Sequence, residues 1–262
     1  MNTIMNMVKV FIISVLILIG VNILRVTNSS ASTAQTSPPS QTPPAPVKKE
    51  SSPQNISNNW SGYAATNGTF TGVSGTWTVP VVSGTGNFGT DATWVGVGGV
   101  ISRDLIQAGT IGMDSSGTVS YRVFFETLPD SPLTVDLAVN GGDSITVTLK
   151  QQVSTVWQIV IRDNTTGQSV AFTDNYNSSL SSAEWIQEAP SGVRRILPLN
   201  DFSTFQFTNG STIENGKNVT IAGAKATTIT LVGSSGQVLA APSALGSDGA
   251  SFSISRVNSS NS

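Results

Sequence analysis

The feature that most constrains the fold is a succession of short segments in which apolar and polar residues alternate. They run from residue 56 to near the C-terminus and favour β-branched and aromatic residues, as strands with one buried face do. Turn sequences separate them, and no segment after the apolar N-terminal residues predicts a helix longer than about two turns. Clear examples are GTWTVP, VSYRVFFETLP, SITVTLK, VWQIVIRD and FSTFQFT.

These segments predict an all-β fold of about ten to fourteen short strands. We expect an antiparallel two-sheet β-sandwich of the concanavalin or lectin-like type rather than a small barrel. VWQIVIRD and QSVAFTD, joined by NTTG, predict a hairpin with a four-residue loop.

The N-terminal residues differ in composition from the rest. Residues 10–24 are apolar except for Ser14, Gly20 and Asn22, and small residues follow, with Ala31 and Ala34 as candidate cleavage positions. We therefore expect residues 1–34 to be a signal peptide of a secreted protein, with a membrane anchor through residues 10–24 as the alternative. Residues 35–55 are rich in Pro and Ser and predict a linker or short pro-segment, which leaves 56–262 as the β domain.

Composition narrows the chemistry that the chain can perform. It contains no Cys and no His, which excludes Ser-His-Asp and Cys-His catalysis and nearly every zinc site. Charged residues make up 11% and the net charge is −2, so we expect no nucleic-acid partner. An enzyme of this composition must use carboxylates, amides, hydroxyls or amines.

Two polar side chains are the candidates for such chemistry. Glu184 precedes Trp185 in SSAEWIQEAP, within a domain that has only four glutamates. Gln107, in DLIQAGT, ends a short apolar run, and its neutral amide could stabilise an oxyanion at any pH. Taken singly, each also fits an ordinary role: Glu184 as a solvated glutamate and Gln107 as a glutamine at a strand end. Glu188 is expected to be an ordinary glutamate.

Four of the five tryptophans divide into two pairs. Trp77 and Trp157 fit the core face of alternating strands. Trp60 and Trp94 lie beside Ser-Gly and Gly-rich sequences, where they could line a groove for a peptide or a sugar or belong to the core. The glycines after Trp94 do not form a nucleotide-binding fingerprint.

Six blocks together resemble the signature blocks of the glutamic peptidases, or eqolisins. The resemblance covers about residues 58–212 and rests on the order of the blocks, including a Trp-Val-Gly block whose Trp is followed thirteen residues later by a Gln. The blocks are NNWSGY, GTWTVP, ATWVGVGG with LIQAGT, YRVFFETLPD, SSAEWIQEAP and LPLNDFSTFQFTNGS.

The resemblance implies a sandwich whose concave face holds a catalytic dyad, Gln107 and Glu184. It also implies that Trp60 and Trp94 line the substrate groove and that Glu126 has a supporting role. The sequence departs from the family at Gly98, where an Asp is common, and in the FFETL segment, where aromatic residues are reduced. The cysteines and long pro-segment of the fungal members are also missing.

We therefore expect a monomeric acid endopeptidase that acts on proteins or peptides without cofactor or metal. Glu184 would activate water, and burial beside Trp185 would raise the pKa of its carboxyl. One alternative is a non-catalytic module that binds glycans or peptides. Another is a glycosidase that uses Glu126 and Glu184 about 5–10 Å apart.

Overall fold

The computed structural model describes residues 55–192 and 195–257. Within these ranges the chain forms sixteen strands and no helix. The strands are β1 (Asn55–Ser57), β2 (Trp60–Ala65), β3 (Phe70–Thr78), β4 (Gly89–Gly98), β5 (Leu105–Ser115), β6 (Thr118–Thr127), β7 (Leu133–Val135), β8 (Ser144–Val153), β9 (Val156–Asp163), β10 (Ser169–Asn175), β11 (Ala183–Glu188), β12 (Phe205–Glu214), β13 (Lys217–Thr220), β14 (Thr227–Val232), β15 (Val238–Pro242) and β16 (Phe252–Arg256).

One hydrogen-bonded path joins fourteen of these strands, in the order β10-β9-β8-β3-β12-β16-β15-β14-β2-β11-β4-β5-β6-β7. β13 pairs with β12, and β1 pairs with β14 in the only parallel pairing among the described strands. The centre of the path brings together strands that are distant in the chain, since β11 lies between β2 and β4. This insertion positions the residues of the candidate site.

The predicted all-β, antiparallel character is confirmed, and β9 and β10 form the predicted hairpin. The structure has more strands than expected, because β1, β7 and β13 have only three or four residues each. Segments this short show no alternation that a sequence pattern could reveal. The division of the strands into two sheets remains a prediction.

Alternation along the strands creates two separate apolar clusters. The main core contains Trp77 and Trp157, as predicted, and also Trp185, all at most 1% exposed. A smaller cluster lies on the opposite face of β4, β5, β6 and β11. Its buried members are Ala64, Ala92, Trp94, Leu105, Phe124, Ile186 and Ile229, with Trp60, Ile111 and Leu128 packed against them.

None of the described residues forms a helix long and apolar enough to cross a membrane. The predicted signal peptide or anchor at 1–34 lies outside the described residues, as does nearly all of the predicted linker at 35–55.

A buried polar cluster lies on the main-core side of β4 and β11. Gln187 donates to the Asp91 carboxylate at 2.9 Å, and Asn200 donates to its other oxygen. The Thr93 hydroxyl donates to the side-chain amide oxygen of Gln187, Oε1. Asp91 is 1% exposed, so its charge depends on these neutral donors rather than on water.

Asp91 predicts that the fold loses stability as the pH rises. Burial raises the pKa of Asp91 from 3.8 to about 6, although the hydrogen bonds from Asn200 and Gln187 oppose the rise. A group whose pKa is raised in the folded state stabilises the fold fully below its unfolded-state pKa. This stabilisation is lost as the pH rises through the folded-state pKa. We expect this residue to remove about 2–4 kcal/mol from the free energy of unfolding between about pH 4 and pH 7.5.

Asp91→Asn should flatten this pH dependence in urea unfolding measured at several pH values across that range. Thr212→Val is the control, because it removes a buried hydroxyl that donates to the Gly72 carbonyl oxygen outside this cluster, and its effect should be equal at each pH. An Asp91→Asn protein with the wild-type slope would show that Asp91 does not cause the change.

Candidate active site

Neighbouring strands place the two predicted catalytic residues in one lateral row. Glu184 on β11 is paired with Gly96 on β4, which is paired in turn with Gln107 on β5. Gln107 is paired with Glu126 on β6. Directly paired residues of antiparallel strands point to the same face. The sheet therefore brings Glu184, Gln107 and Glu126 to one face although they lie far apart in the chain.

Gly96 lies between Glu184 and Gln107 in the row. Adjacent strands lie about 4.8 Å apart, so the two backbones flanking Gly96 are about 10 Å apart. A side-chain carbon on Gly96 would lie 2.9 Å from Leu105 Cδ1 and 2.9 Å from Trp94 Cζ3. Leu105 and Trp94 therefore pack directly against Gly96, and only a residue without a side chain fits between Glu184 and Gln107 in the row.

The aromatic residues predicted for the groove lie on this same face. Trp94 precedes Gly96 by two residues and belongs to the smaller cluster with Ile186. Trp60 packs edge-on against Trp94, with ring centroids 5.1 Å apart and planes at 79°. Trp94 is fully buried and Trp60 partly exposed, so of the two only Trp60 presents surface to a ligand in this structure.

Glu184 is fully buried rather than solvated. Within the described ranges, neither of its carboxylate oxygens has a well-formed hydrogen bond. Burial raises the pKa of Glu184 well above 4.5, the Ser182 hydroxyl opposes the rise, and the charge of Asp104 adds to it. The expected rise is present, but Trp185 is not its cause, because that side chain points to the main core on the opposite face.

Gln107 is held by a carboxylate. Its Nε2 donates to Glu126 Oε2 at 2.6 Å, while its Oε1 is buried without a hydrogen-bond partner in the described part of the chain. Burial raises the pKa of Glu126, and the bond from Gln107 partly opposes that rise. The amide therefore has a fixed direction, with one N–H and the carbonyl oxygen still available.

Asp104 is a site residue that sequence reasoning missed. Gly98 has a φ of +94°, and a side-chain carbon there would lie 2.5 Å from the Asp104 carbonyl oxygen and 2.9 Å from its Oδ2. The position where an Asp was expected therefore cannot hold one without strain, and the Asp104 carboxylate lies beside it. The unusual Gly98 was the one available signal.

Hydrogen bonds keep Asp104 ionised next to Glu184. The Ser179 backbone N–H donates to Asp104 Oδ2 at 2.6 Å, and the Ser178 hydroxyl donates to the same oxygen at 3.2 Å. Burial alone would raise the pKa of Asp104, but hydrogen bonds, above all that from the Ser179 N–H, outweigh it and lower the pKa. The two neighbouring carboxyls thus have pKa values that are shifted in opposite directions.

The expectation that Glu188 is an ordinary glutamate was wrong. It lies four residues after Glu184 on the same face of β11, and its Oε2 accepts a hydrogen bond from Trp94 Nε1 at 2.8 Å. Its Oε1 accepts from Asn59 Nδ2 at 3.2 Å. Burial raises the pKa of Glu188 to about 7, the Trp94 bond opposes the rise, and the charge of Glu126 adds to it.

A groove of about 690 Å³ begins at Glu126. It lies between β7 and β10, the strands at the two ends of the hydrogen-bonded path. Its lining consists of Phe125, Glu126, Thr127, Asp130, Ser131, Leu133, Thr134, Val135, Asp136, Phe172, Thr173 and Asp174. In the part of the chain that the structure describes, no three acidic side chains gather closely enough to hold a metal ion.

Comparisons with known proteins point to one family. The model of the Peptidase A4 family matches residues 58–254. Aspergillopepsin-2 from Aspergillus niger is 28% identical over 191 residues, which are 63% of this chain and 68% of that protein.

Solved structures of glutamic peptidases resemble the fold. Scytalido-glutamic peptidase with a transition-state analogue inhibitor gives a TM-score of 0.66 at 24% identity and covers 76% of this chain and 98% of its own. Aspergilloglutamic peptidase from Aspergillus niger gives a TM-score of 0.58 at 27% identity, and the match covers 64% of this chain and 99% of that chain.

The buried, unpartnered Glu184 predicts a specific effect on stability. Because its folded-state pKa is raised, its contribution to stability is complete below its ordinary pKa and is lost as the pH rises. Glu184→Gln should therefore stabilise the protein at about pH 7 and have little effect at about pH 3, as measured by thermal unfolding. Glu214→Gln is the matched control. A variant less stable than wild type at about pH 7 would contradict the assignment of an unfavourable charge.

Proposed function

Because the chain belongs to the Peptidase A4 family and is a glutamic endopeptidase, we propose that Gln107 and Glu184 form its catalytic dyad. The observation that carries this proposal is their lateral row, in which Glu184 and Gln107 are both paired with Gly96 and directed to one face. Both side chains are buried on the same face, where a preorganised amide is worth more than in water.

The reaction needs no acyl-enzyme. The Glu184 carboxylate takes a proton from a water molecule as the water oxygen attacks the scissile carbonyl carbon. The carbonyl oxygen becomes an oxyanion, which Gln107 stabilises by donating an N–H. Protonated Glu184 then gives its proton to the leaving nitrogen as the C–N bond breaks, which leaves a carboxylic acid and an amine and restores the carboxylate.

Glu126 supports this role of Gln107. An amide nitrogen carries two N–H groups, and one of those on Gln107 is occupied by Glu126 Oε2. The other remains for the oxyanion, and the unpaired Oε1 can accept a hydrogen bond from the attacking water. Glu126 thus fixes which end of the amide faces the reacting atoms, and it also begins the groove that would receive part of an extended peptide.

Asp104 takes the part of the aspartate that is absent at position 98. Hydrogen bonds lower the pKa of Asp104, while burial, to which the charge of Asp104 adds, raises the pKa of Glu184. A base with a raised pKa is a stronger proton acceptor and, once protonated, still donates to an amine. The free enzyme then has a charged Glu184 only above pH 4.5, which places the acid limb of kcat/KM above that value.

The remaining parts of the chain fit this proposal. Residues 1–34 would direct secretion or anchor the protein, 35–55 would connect or form a pro-segment, and 56–262 would be the peptidase domain. The strands would pack as two sheets in a concanavalin or lectin-like sandwich, which the TM-scores to glutamic peptidases support. Trp60 would contact the substrate, whereas buried Trp94 would support the floor of the site.

The dyad predicts proteolysis of denatured protein that pepstatin does not inhibit, assayed between about pH 2 and pH 7. Glu184→Gln removes the base and should lower kcat by about 10²–10⁴-fold. Gln107→Ala removes the oxyanion donor and should lower it by about 10²–10³-fold. Wild-type kcat/KM should increase with pH from the most acidic conditions, because Glu184 must lose its proton to act.

Two matched controls have the same chemistry outside the row. Glu214→Gln and Gln206→Ala should keep the wild-type rate, since both lie on β12. Equal activity in wild type and both dyad variants would refute the dyad. A wild-type protein that binds peptides or glycans but does not hydrolyse them would favour the binding module, and loss of activity in Glu126→Gln on a glycan substrate would favour the glycosidase.

A further inference from the structure

We infer that Glu188 is a positioning residue that holds the Trp94 indole against Gly96, the residue that lies between Gln107 and Glu184 in the row. This inference rests on the proposed function, because it gives the indole a task in the proposed dyad. Glu188 touches neither reacting group. It acts through the aromatic ring.

The indole spans the distance between two rows of the sheet. Its Nε1 donates to Glu188 Oε2 at 2.8 Å, while its Cζ3 lies 2.9 Å from where a side-chain carbon of Gly96 would be. Gly96 is paired with both Glu184 and Gln107. One end of the ring is therefore fixed by Glu188, and the other end packs against the residue that lies between the two members of the proposed dyad.

A glycine lies against the base of the Trp94 side chain. Gly109 is paired with Trp94, and a side-chain carbon there would lie 2.6 Å from Trp94 Cβ. Packing limits the position of the indole on this side. Apolar contacts are not directional, however, whereas a hydrogen bond also fixes the orientation of the ring. Since the ring is fully buried, the donor needs an acceptor, and Glu188 is the one that it has.

The protonation state of Glu188 suits this task. Burial raises its pKa to about 7, although the Trp94 bond opposes the rise, so at acid pH the side chain is a neutral carboxyl that still accepts through one oxygen. Gln has the same shape and a carbonyl acceptor. Leu has a comparable volume and no acceptor. These two substitutions separate the hydrogen bond from the packing.

Glu188→Leu should lower kcat by about 10- to 100-fold with a smaller change in KM, because a small misplacement near reacting atoms is costly. Glu188→Gln should lower kcat clearly less, because its side-chain carbonyl oxygen can still accept the hydrogen bond from Trp94. In a Trp94→Phe background, which lacks the donor, Glu188→Leu should cause little further loss, since the two residues act as one unit. Thermal unfolding of every variant identifies any loss that is due to misfolding.

A second readout does not depend on activity. The indole N–H resonance of Trp94, assigned by its absence in Trp94→Phe, should move and exchange faster with solvent in Glu188→Leu but not in Glu188→Gln. An unchanged resonance, or equal losses of kcat from Glu188→Leu with and without the Trp94 indole, would overturn the inference. A wild-type protein without peptidase activity would refute the proposed function, while the resonance would still test the placement of the ring.

Discussion

The candidate site depends on the register of four neighbouring strands. β11 is inserted between β2 and β4, and its pairing places Glu184 opposite Gly96 rather than opposite a residue one position away. A shift by one residue would turn Glu184 to the main core and Trp185 to the site. Trp185 and Ile186 are both fully buried, on opposite faces of β11. They oppose such a shift, because it would move each of them to the opposite face and place Glu184 in the main core. Hydrophobic burial therefore fixes the position of the polar residues of the candidate site.

Three carboxyls of the candidate site, those of Asp104, Glu126 and Glu184, differ in environment. Asp104 accepts hydrogen bonds that favour its charge, Glu126 has an amide partner, and Glu184 has burial without a well-formed bond. Among the residues that the structure describes, no Lys or Arg contributes to these pKa shifts. Hydrogen bonding and desolvation thus distinguish the groups, and they give each carboxyl a different tendency to hold a proton.

Much of the fold could be predicted from the sequence, because period-two alternation reports directly on strands with one buried face. The short strands β1, β7 and β13 carry too few residues for such a signal. The pairing of Glu184 with Gln107 across Gly96 was accessible only through a family resemblance, since register between distant strands is not written in local sequence. Glu188 was misjudged although period two already places it on the face of Glu184, four residues earlier on the strand.

Buried acidic groups connect the chemistry of the site with the stability of the fold. The pKa values of Asp91, Glu184 and Glu188 are all raised by burial, and each therefore contributes stability at low pH that is lost as the pH rises. The same burial that makes Glu184 a stronger base sets a lower limit to the pH at which it is charged. Low pH therefore favours the strands that hold the site, whereas the charged form of Glu184 that the proposed mechanism needs forms at the expense of their stability.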